Sequence, residues 1–263
     1  MECWSVGSAR PSSRHRRIIP SLQYSITPAL LALMTWLCAG EALAGESPMA
    51  ERIVLNEDFS AGMANWWAEG GEKVWVQDGR LHVKADPPKG QPGNVCTVWC
   101  RKEFGGNLRV EFDCQVIESL GEANNVNFFL CYSDPSGKPL YETRESRADA
   151  AYRKYHDLNG YIFTFLNDAK GEVGRHPDGS SKARFRMRRC PGFKLIAETF
   201  DYHCRRGVTY RVAITKKAGD LTFAVDGKVY MKARDENPLS TGLIGLRTYQ
   251  TYLWWDNIKV VQE

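Results

Sequence analysis

The chain has 263 residues, of which 43% are hydrophobic and 25% are charged, and its formal net charge is +4. This near-neutral balance excludes the broad positive field that nonspecific nucleic-acid binding requires, so any basic site must be local. The length suits one domain preceded by a leader.

The first 44 residues have the pattern of a secretory signal peptide. A basic stretch precedes an apolar run at residues 26–38, and a small-x-small sequence ends at Ala44. The run is too short for a stable transmembrane helix. We therefore predict cleavage after Ala44 and one exported domain, secreted or periplasmic, at residues 45–263. Because the leader carries four Arg and two Glu, the mature chain has a net charge of about +2.

Alternating hydrophobic residues predict strands along nearly all of the mature chain. The segments are GRLHVKA, NLRVEFDCQVIE, NGYIFTFLND, TYRVAITKK and the closing GLIGLRTYQTYLWWDNIKVV. NNVNFFLCY is apolar on both faces, which predicts a central strand, and Asp226-Gly227 predicts a hairpin turn. The one helical candidate, residues 145–157, is expected as a short solvated helix or a long loop. Many short strands in one exported domain predict an antiparallel β-sandwich.

Several segments resemble a known superfamily. LNEDFS, WVQDGRLHV, FAVDGKVY and GLIGLRTYQTYLWWDNIKV resemble the first and last strands of concanavalin-A-like lectin/glucanase sandwiches. VWCRKEFGGNLRVEFD, KYHDLNGYIFTF and RRCPGFKLIAE are similar to the YesU-like bacterial domain family within that superfamily, which has no settled function. The resemblance implies a two-sheet jelly roll whose concave sheet often holds carbohydrate.

Six cysteines remain after the predicted cleavage. Cys96 and Cys100 are expected on one strand, about 13 Å apart, which is too far for a disulfide. Cys190 and Cys204 could bridge neighbouring strands, and the alternative is that several cysteines are small buried hydrophobic residues. The spacing of the six residues does not fit a zinc site.

The densest positive charge is the segment RFRMRR, residues 184–189. Alternation along a strand places Arg184, Arg186 and Arg188 on one face, while Phe185 and Met187 point into the core. Three guanidinium groups on one face suit the carboxylates or sulfates of an acidic sugar chain. The alternative is an outer strand face whose arginines pair with neighbouring acids.

The segment YHDLNGY brings acid, base and amide groups together. A polysaccharide lyase needs a group that neutralises a uronate carboxylate, a base for the C5 proton and an acid for the leaving oxygen. His156, Asn159 and Tyr161, with the arginines, are the candidates for these roles, by analogy with the fold alone. The alternative is a capped turn with a partly exposed histidine.

Other candidates concern hydrolysis and stacking. The glucanase pattern Glu-x-Asp-x-x-Glu is broken, because Val116 follows Glu111 and Asp113 where the last Glu would stand. We expect those two acids on a solvated sheet face. Glu198 is a candidate partner for an arginine of the facing strand and a weak acid/base candidate. Trp99 is the preferred ring for stacking against a sugar.

A structural calcium ion is a further candidate, because oxygen-bearing side chains fall on the first and last strands, which should pair: Glu57, Asp58, Asp256 and Asn257. No catalytic metal or other cofactor is predicted.

Together these features predict an exported carbohydrate-active protein that binds an acidic poly- or oligosaccharide on the concave sheet and cleaves it by lyase or glycoside hydrolase chemistry. The alternatives are a non-catalytic, lectin-like carbohydrate-binding domain and a scaffold or adhesion domain of the cell envelope. The predicted partner is a saccharide, without nucleic acid and without a membrane span after cleavage.

Overall fold

The structure is a computed structural model, and it describes residues 51–120, 124–166, 184–202 and 204–263. The predicted leader lies outside the described residues. Within them, fifteen strands form two antiparallel sheets. The predicted all-β, two-sheet sandwich is confirmed.

The larger sheet has eight strands: β1 (Arg52–Glu57), β3 (Lys73–Gln77), β4 (Arg80–Lys84), β6 (Leu108–Ser119), β11 (Thr209–Lys217), β12 (Asp220–Val225), β13 (Lys228–Arg234) and β15 (Thr251–Gln262). Their order is β13-β12-β11-β6-β15-β4-β3, and β1 pairs with β15. The first and last strands therefore pair, as predicted. The predicted turn joins β12 to β13, with positive φ at both Asp226 and Gly227, as the tightest hairpin turns require.

The smaller sheet has seven strands: β2 (Trp66–Gly70), β5 (Val95–Gly105), β7 (Val126–Ser133), β8 (Asn159–Leu166), β9 (Arg184–Cys190), β10 (Lys194–Thr199) and β14 (Thr241–Tyr249). Their order is β10-β9-β8-β7-β14-β5-β2. The segment that is apolar on both faces forms β7, which is the central strand of this sheet, as predicted.

The main hydrophobic core lies between the two sheets and is built by alternation along the strands. In β6, the apolar residues from Leu108 to Val116 are buried. Glu111 and Asp113 occupy the opposite face, where both accept hydrogen bonds from Arg211. The expectation that these two acids lie on a solvated sheet face is confirmed, and the buried Val116 leaves the glucanase pattern incomplete.

A second hydrophobic cluster covers the outer face of the seven-stranded sheet. It contains Trp67, Trp99, Phe129 and Ile162 from the strands, together with residues of the long β7–β8 connection, 134–158. That connection includes two short 3₁₀ turns, Arg144–Arg147 and Tyr152–Tyr155. The segment predicted as a solvated helix or a long loop is thus a long loop. It is not solvated throughout, because Arg147, Ala150 and Tyr155 are buried.

All six cysteines of the described residues are buried free thiols, in accord with small hydrophobic residues. Cys96 and Cys100 share β5, as predicted. Cys190 belongs to the outer cluster and Cys204 to the core between the sheets. The suggested Cys190–Cys204 bridge is therefore wrong, because the two thiols lie in different hydrophobic layers.

Candidate functional site

One row of polar side chains crosses all seven strands of the smaller sheet on its outer face. Successive strand pairs place these residues opposite one another: Glu198, Arg186, Thr164, Asn127, Arg247, Thr97 and Glu69. We call this set the polar row. The adjacent row on the same face is mostly apolar and includes Ile162, Phe129 and Trp99. The long loop covers much of that apolar row.

Arg247 stands near the middle of the polar row and is only 2% exposed. Its Nη1 donates to Thr97 Oγ1 at 2.6 Å, and its Nη2 donates to the Ala150 carbonyl at 3.1 Å. The guanidinium also lies 4.6 Å from the Tyr152 ring centroid and 4.8 Å from that of Tyr155. A permanent positive charge is thereby fixed between the sheet and the loop.

Two buried atoms of the polar row have no hydrogen-bond partner. Asn127 is 4% exposed, and its Nδ2 donates to Asn125 Oδ1, but its own Oδ1 accepts nothing. Arg186 Nε is buried and unpaired, since Glu198 Oε1 is 3.9 Å away, beyond hydrogen-bond range. Leaving such atoms unsatisfied costs about 1–3 kcal/mol each. Both atoms lie below the solvent-accessible surface, so neither offers a direct contact to a ligand.

The structure places Arg186 and Arg188 on the outer face, as strand alternation predicts, and it buries Phe185 and Met187 in the core. Burial, followed by the charges of Arg184 and Arg188, lowers the pKa of Arg186.

The described contacts of Arg188 and Arg189 differ, although the two residues are adjacent. Arg188 Nη1 donates to the Phe193 carbonyl, and its guanidinium lies 4.1 Å from the Phe193 ring. Arg189 points to the other face and forms an ion pair with Asp235 at 2.7 Å. Glu198 is close to Arg186, as expected, and its side chain is 27% exposed.

His156 lies beside this arginine cluster. Its ring stacks on Phe193 at 3.8 Å, and the Tyr152 ring is 4.7 Å away, edge to face. Burial, and next the charge of Arg247, lowers the pKa of His156, so the neutral imidazole is favoured. Its Nε2 is buried without a hydrogen-bond partner. The arrangement brings a neutral base and a tyrosine beside several permanent cations.

The other two catalytic candidates lie elsewhere. Tyr161 is in the core between the sheets, where its hydroxyl donates to Asp235 Oδ2 at 2.6 Å and accepts from the Leu239 amide. Asn159 begins β8, and its Nδ2 donates to Ser133 Oγ at 3.2 Å. The structure does not bring Tyr161 to His156. Ile162 lies on the outer face of the sheet, so the side chain of the preceding Tyr161 points to the opposite face. Tyr152 occupies the place beside His156, and strand patterns give no signal for it because it lies in the loop.

Trp99 is fully buried beneath the loop, so its ring presents no face to solvent. Its Nε1 donates to Glu69 Oε2 at 3.0 Å, and the Tyr155 hydroxyl donates to the same oxygen at 2.6 Å. Arg147 completes a buried ion pair with Glu69 at 3.1 Å. Sequence reasoning missed this cluster, which attaches the loop to β2 and β5.

The four residues considered for calcium have protein partners. Glu57 accepts from the Phe59 amide and Trp66 Nε1, and Asp58 accepts from Ser60. Asn257 Nδ2 donates to Asp113. Within the described residues, no three or more His, Cys, Asp or Glu side chains are grouped so that they could hold a metal ion. The helical turns of those same residues are all too short and too polar to span a membrane.

Comparison with protein families identifies one matching domain. Residues 91–258 match the model of a domain of unknown function, DUF6250. The chain belongs to the DUF6250 family. The match extends from the start of β5 almost to the end of β15, so it includes most strands of the polar row.

Solved structures share the fold of this DUF6250 chain at low sequence identity. A protein of unknown function with a galectin-like fold from Bacillus subtilis is 20% identical with a TM-score of 0.64, over 80% of this chain and 96% of that one. The carbohydrate-binding module CBM66 from Bacillus subtilis is 13% identical with a TM-score of 0.51, over 75% and 95%. The exoplasmic/lumenal domain of VIP36, bound to Ca²⁺ and mannose, is 11% identical with a TM-score of 0.54, over 81% and 89%.

These structures confirm the lectin-like β-sandwich as a fold. The narrower YesU-like resemblance is not tested by their names and stays a prediction. A comparison with curated proteins finds no match.

Proposed function

We propose that this DUF6250 chain is an exported protein that binds an acidic poly- or oligosaccharide on the outer face of the seven-stranded sheet. The observation that carries the proposal is that Arg186 and Arg188 lie on this face of β9, where the Arg186 side chain is 19% exposed and its Nε is 3.9 Å from Glu198 Oε1. Galectin-like and carbohydrate-binding structures of the same fold support a saccharide as the ligand.

The acidic group of a uronate residue has complementary cations in this site. Arg186 and Arg188 offer planar donor pairs that suit a carboxylate or sulfate. The aromatic rings of Tyr152 and Phe193 border the cations Arg247 and Arg188. An anion placed beside Arg186 and Arg188 can form charge-assisted hydrogen bonds with their guanidinium groups.

Calorimetric titration with uronate, sulfated and neutral oligosaccharides tests the proposal. We expect Arg186→Ala and Arg188→Ala each to weaken binding of the acidic ligands by about 10- to 150-fold, since a lost charged hydrogen bond contributes about 1.5–3 kcal/mol. Lys232→Ala is the matched control, because it removes an exposed cation from the eight-stranded sheet. Binding that is equal in the wild type and both arginine variants would exclude this site.

The position of His156 beside Tyr152 favours cleavage by β-elimination as a second candidate function. In this step His156 takes the C5 proton of a uronate, the electron pair forms the C4–C5 double bond, and the bond from C4 to the leaving oxygen breaks. The Tyr152 hydroxyl supplies the proton to that oxygen, and solvent restores both groups. Hydrolysis would need two available carboxylates. The polar row contains two acids, Glu198 and Glu69, and the second is engaged by Arg147, Trp99 and Tyr155.

Incubation with a panel of polyuronates separates the enzyme from the binding domain. Elimination gives an unsaturated product that absorbs in the ultraviolet, and His156→Ala and Tyr152→Phe should each abolish it. Tyr249→Phe, at an exposed position, is the control. Binding of the panel without unsaturated product, and without new reducing ends, would instead identify a non-catalytic lectin-like domain.

A further inference from the structure

A second basic cluster lies at the opposite end of the same outer face, next to β2. Tyr141 of the long loop is placed between two arginines: the Arg101 guanidinium is 4.2 Å from its ring centroid and the Arg144 guanidinium is 4.1 Å away. The Trp67 ring meets Tyr141 edge to face at 5.3 Å. We call Arg101, Tyr141 and Arg144 the tyrosine–arginine cluster.

The charges of this cluster are poorly neutralised by the protein. Both guanidinium groups stack on a ring, and the ion pair of Arg144 is with Glu145, whose side chain is 81% exposed, so that pair is weak in water. A hydrogen bond from Arg101 and the charge of Arg144 lower the pKa of Tyr141. Trp67, which is 7% exposed, leaves its Nε1 buried and without a partner directly beneath the cluster. Within the described residues, the positive charge of the cluster is therefore balanced only by one exposed acid, Glu145.

Strand register gives the separation between the two basic sites. Arg188 faces a row that crosses β8, β7 and β14 to Trp99 in β5. Arg101 follows Trp99 by two residues, so it has the same outward direction. Four strand spacings correspond to about 19 Å across the sheet, with about 7 Å along it. A ligand that contacts both sites must therefore span about 20 Å and pass over the loop that covers the row between them.

We propose that the tyrosine–arginine cluster is a second anion subsite for the same ligand, so that the ligand is a polyanionic saccharide chain held at two separated points. This inference rests on the proposed function at the polar row and adds a length requirement to it. The first subsite binds one acidic sugar, and the second binds another acidic sugar further along the chain. A ligand too short to bridge the separation occupies only one subsite at a time.

Two-point attachment predicts a step in affinity with chain length. Once the chain reaches the second subsite, its binding there becomes intramolecular, and the effective concentration strengthens overall binding by at least about tenfold. Shorter chains should show the affinity of a single subsite, and chains beyond the step should gain little more.

The experiment is titration of the whole protein with a size-graded series of one uronate oligomer, from the disaccharide upward. Arg101→Ala and Arg144→Ala should remove the step, so that long chains bind about as weakly as short ones. The affinity of short chains for the first subsite, at Arg186 and Arg188, should be unchanged. Lys232→Ala should leave the whole length profile unchanged. Thermal melting of both arginine variants establishes that the fold is intact, as expected for partly exposed side chains.

Two results would overturn the inference: an affinity that does not depend on chain length, or a step that survives in both variants. The proposed function fails separately, because its failure is a short-chain affinity that is insensitive to Arg186→Ala and Arg188→Ala. A length step that is lost in the Arg101 variant, together with normal short-chain binding, supports both sites at once.

Discussion

Gly245 allows a strand to pass close beneath a tryptophan ring. A Cβ atom at this position would lie 2.7 Å from the Trp99 ring, which is too near for any real contact. We expect Gly245→Ala to lower the free energy of unfolding by about 1–3 kcal/mol, the usual effect of an overpacked core. Urea denaturation measures it.

A double-mutant cycle provides the control for that steric argument. The smaller ring of Trp99→Phe should relieve part of the clash, so Gly245→Ala should be less destabilising when it is combined with Trp99→Phe than when it is made alone. Strictly additive losses would show that the ring contact is not the cause.

His156 should make stability depend on pH. Its pKa is below the ordinary value of 6.5, mainly because of burial and then because of Arg247. Between that lowered pKa and 6.5 the unfolded chain binds a proton that the folded chain does not, so the free energy of unfolding falls as the pH falls. His156→Gln should remove this part of the pH dependence. The measurement is the free energy of unfolding from urea denaturation, at pH values above and below 6.5.

His82 supplies the comparison for that experiment. Burial, and then Arg80, also lowers its pKa, so His82→Gln should remove a separate part of the pH dependence. A pH dependence that is identical in the wild type and the His156 variant would contradict the expectation for His156.

At the scale of elements, the long loop is fixed to the sheet by one buried ion pair. The Glu69 and Arg147 side chains are 2% and 4% exposed, and removal of one buried partner typically costs about 3–5 kcal/mol. We predict a loss of that order for Glu69→Ala, because Arg147, Trp99 and Tyr155 all lose their acceptor. Hydrogen exchange should show faster exchange in residues 134–158.

A matched surface pair gives the control. Lys154 and Asp149 form an exposed ion pair on the same loop, so Asp149→Ala should change the free energy of unfolding by no more than about 1 kcal/mol. If Glu69→Ala were equally mild, the loop would be held mainly by its apolar contacts.

The strands could be predicted from the sequence because their signal is local. Each pattern lies within the element that it predicts. The examples are the alternation in β6 and β9, the continuous apolar run of β7 and the Asp226-Gly227 turn. The burial of the long loop could not be predicted, because its buried contacts depend on Glu69, a residue far away in the chain.

The same distinction applies to the candidate site. The outward direction of Arg186 and Arg188 follows from their spacing within one strand. The polar row does not, because it requires the register of seven strands at once, so Asn127 and Arg247 carried no visible signal. Proximity in sequence groups Tyr161 with His156. Successive side chains of a strand point to opposite faces, however, and in β8 this alternation turns Tyr161 away from His156.

At the scale of the whole molecule, the thiols form part of the apolar interior. Burial raises the pKa of Cys96 to about 12 and that of Cys131 to about 11, which leaves almost no reactive thiolate near neutral pH. We expect a thiol reagent to modify the native protein very slowly and to modify the described cysteines rapidly after denaturation. Thiols that stay unreactive in denaturant would indicate disulfides instead.

The modest net charge of +4 means that electrostatic attraction must come from local clusters. Binding of an acidic saccharide should therefore weaken as salt rises, because the Debye length shortens from about 10 Å at 0.1 M to about 3 Å at 1 M. The double variant Arg186→Ala/Arg188→Ala should show a smaller salt dependence in the same titration. If the salt dependence of binding were equal in the wild type and the double variant, the electrostatic attraction for the saccharide would come from another part of the surface.

The alternation in β9 also limits which changes in chain length the protein can tolerate. Inserting or deleting one residue between Phe185 and Met187 would reverse the direction of every side chain beyond it. Guanidinium groups would then enter the space between the sheets, and an apolar residue would take their place on the outer face. We therefore expect related chains to vary in length in the connections between strands, while this strand keeps a constant number of residues.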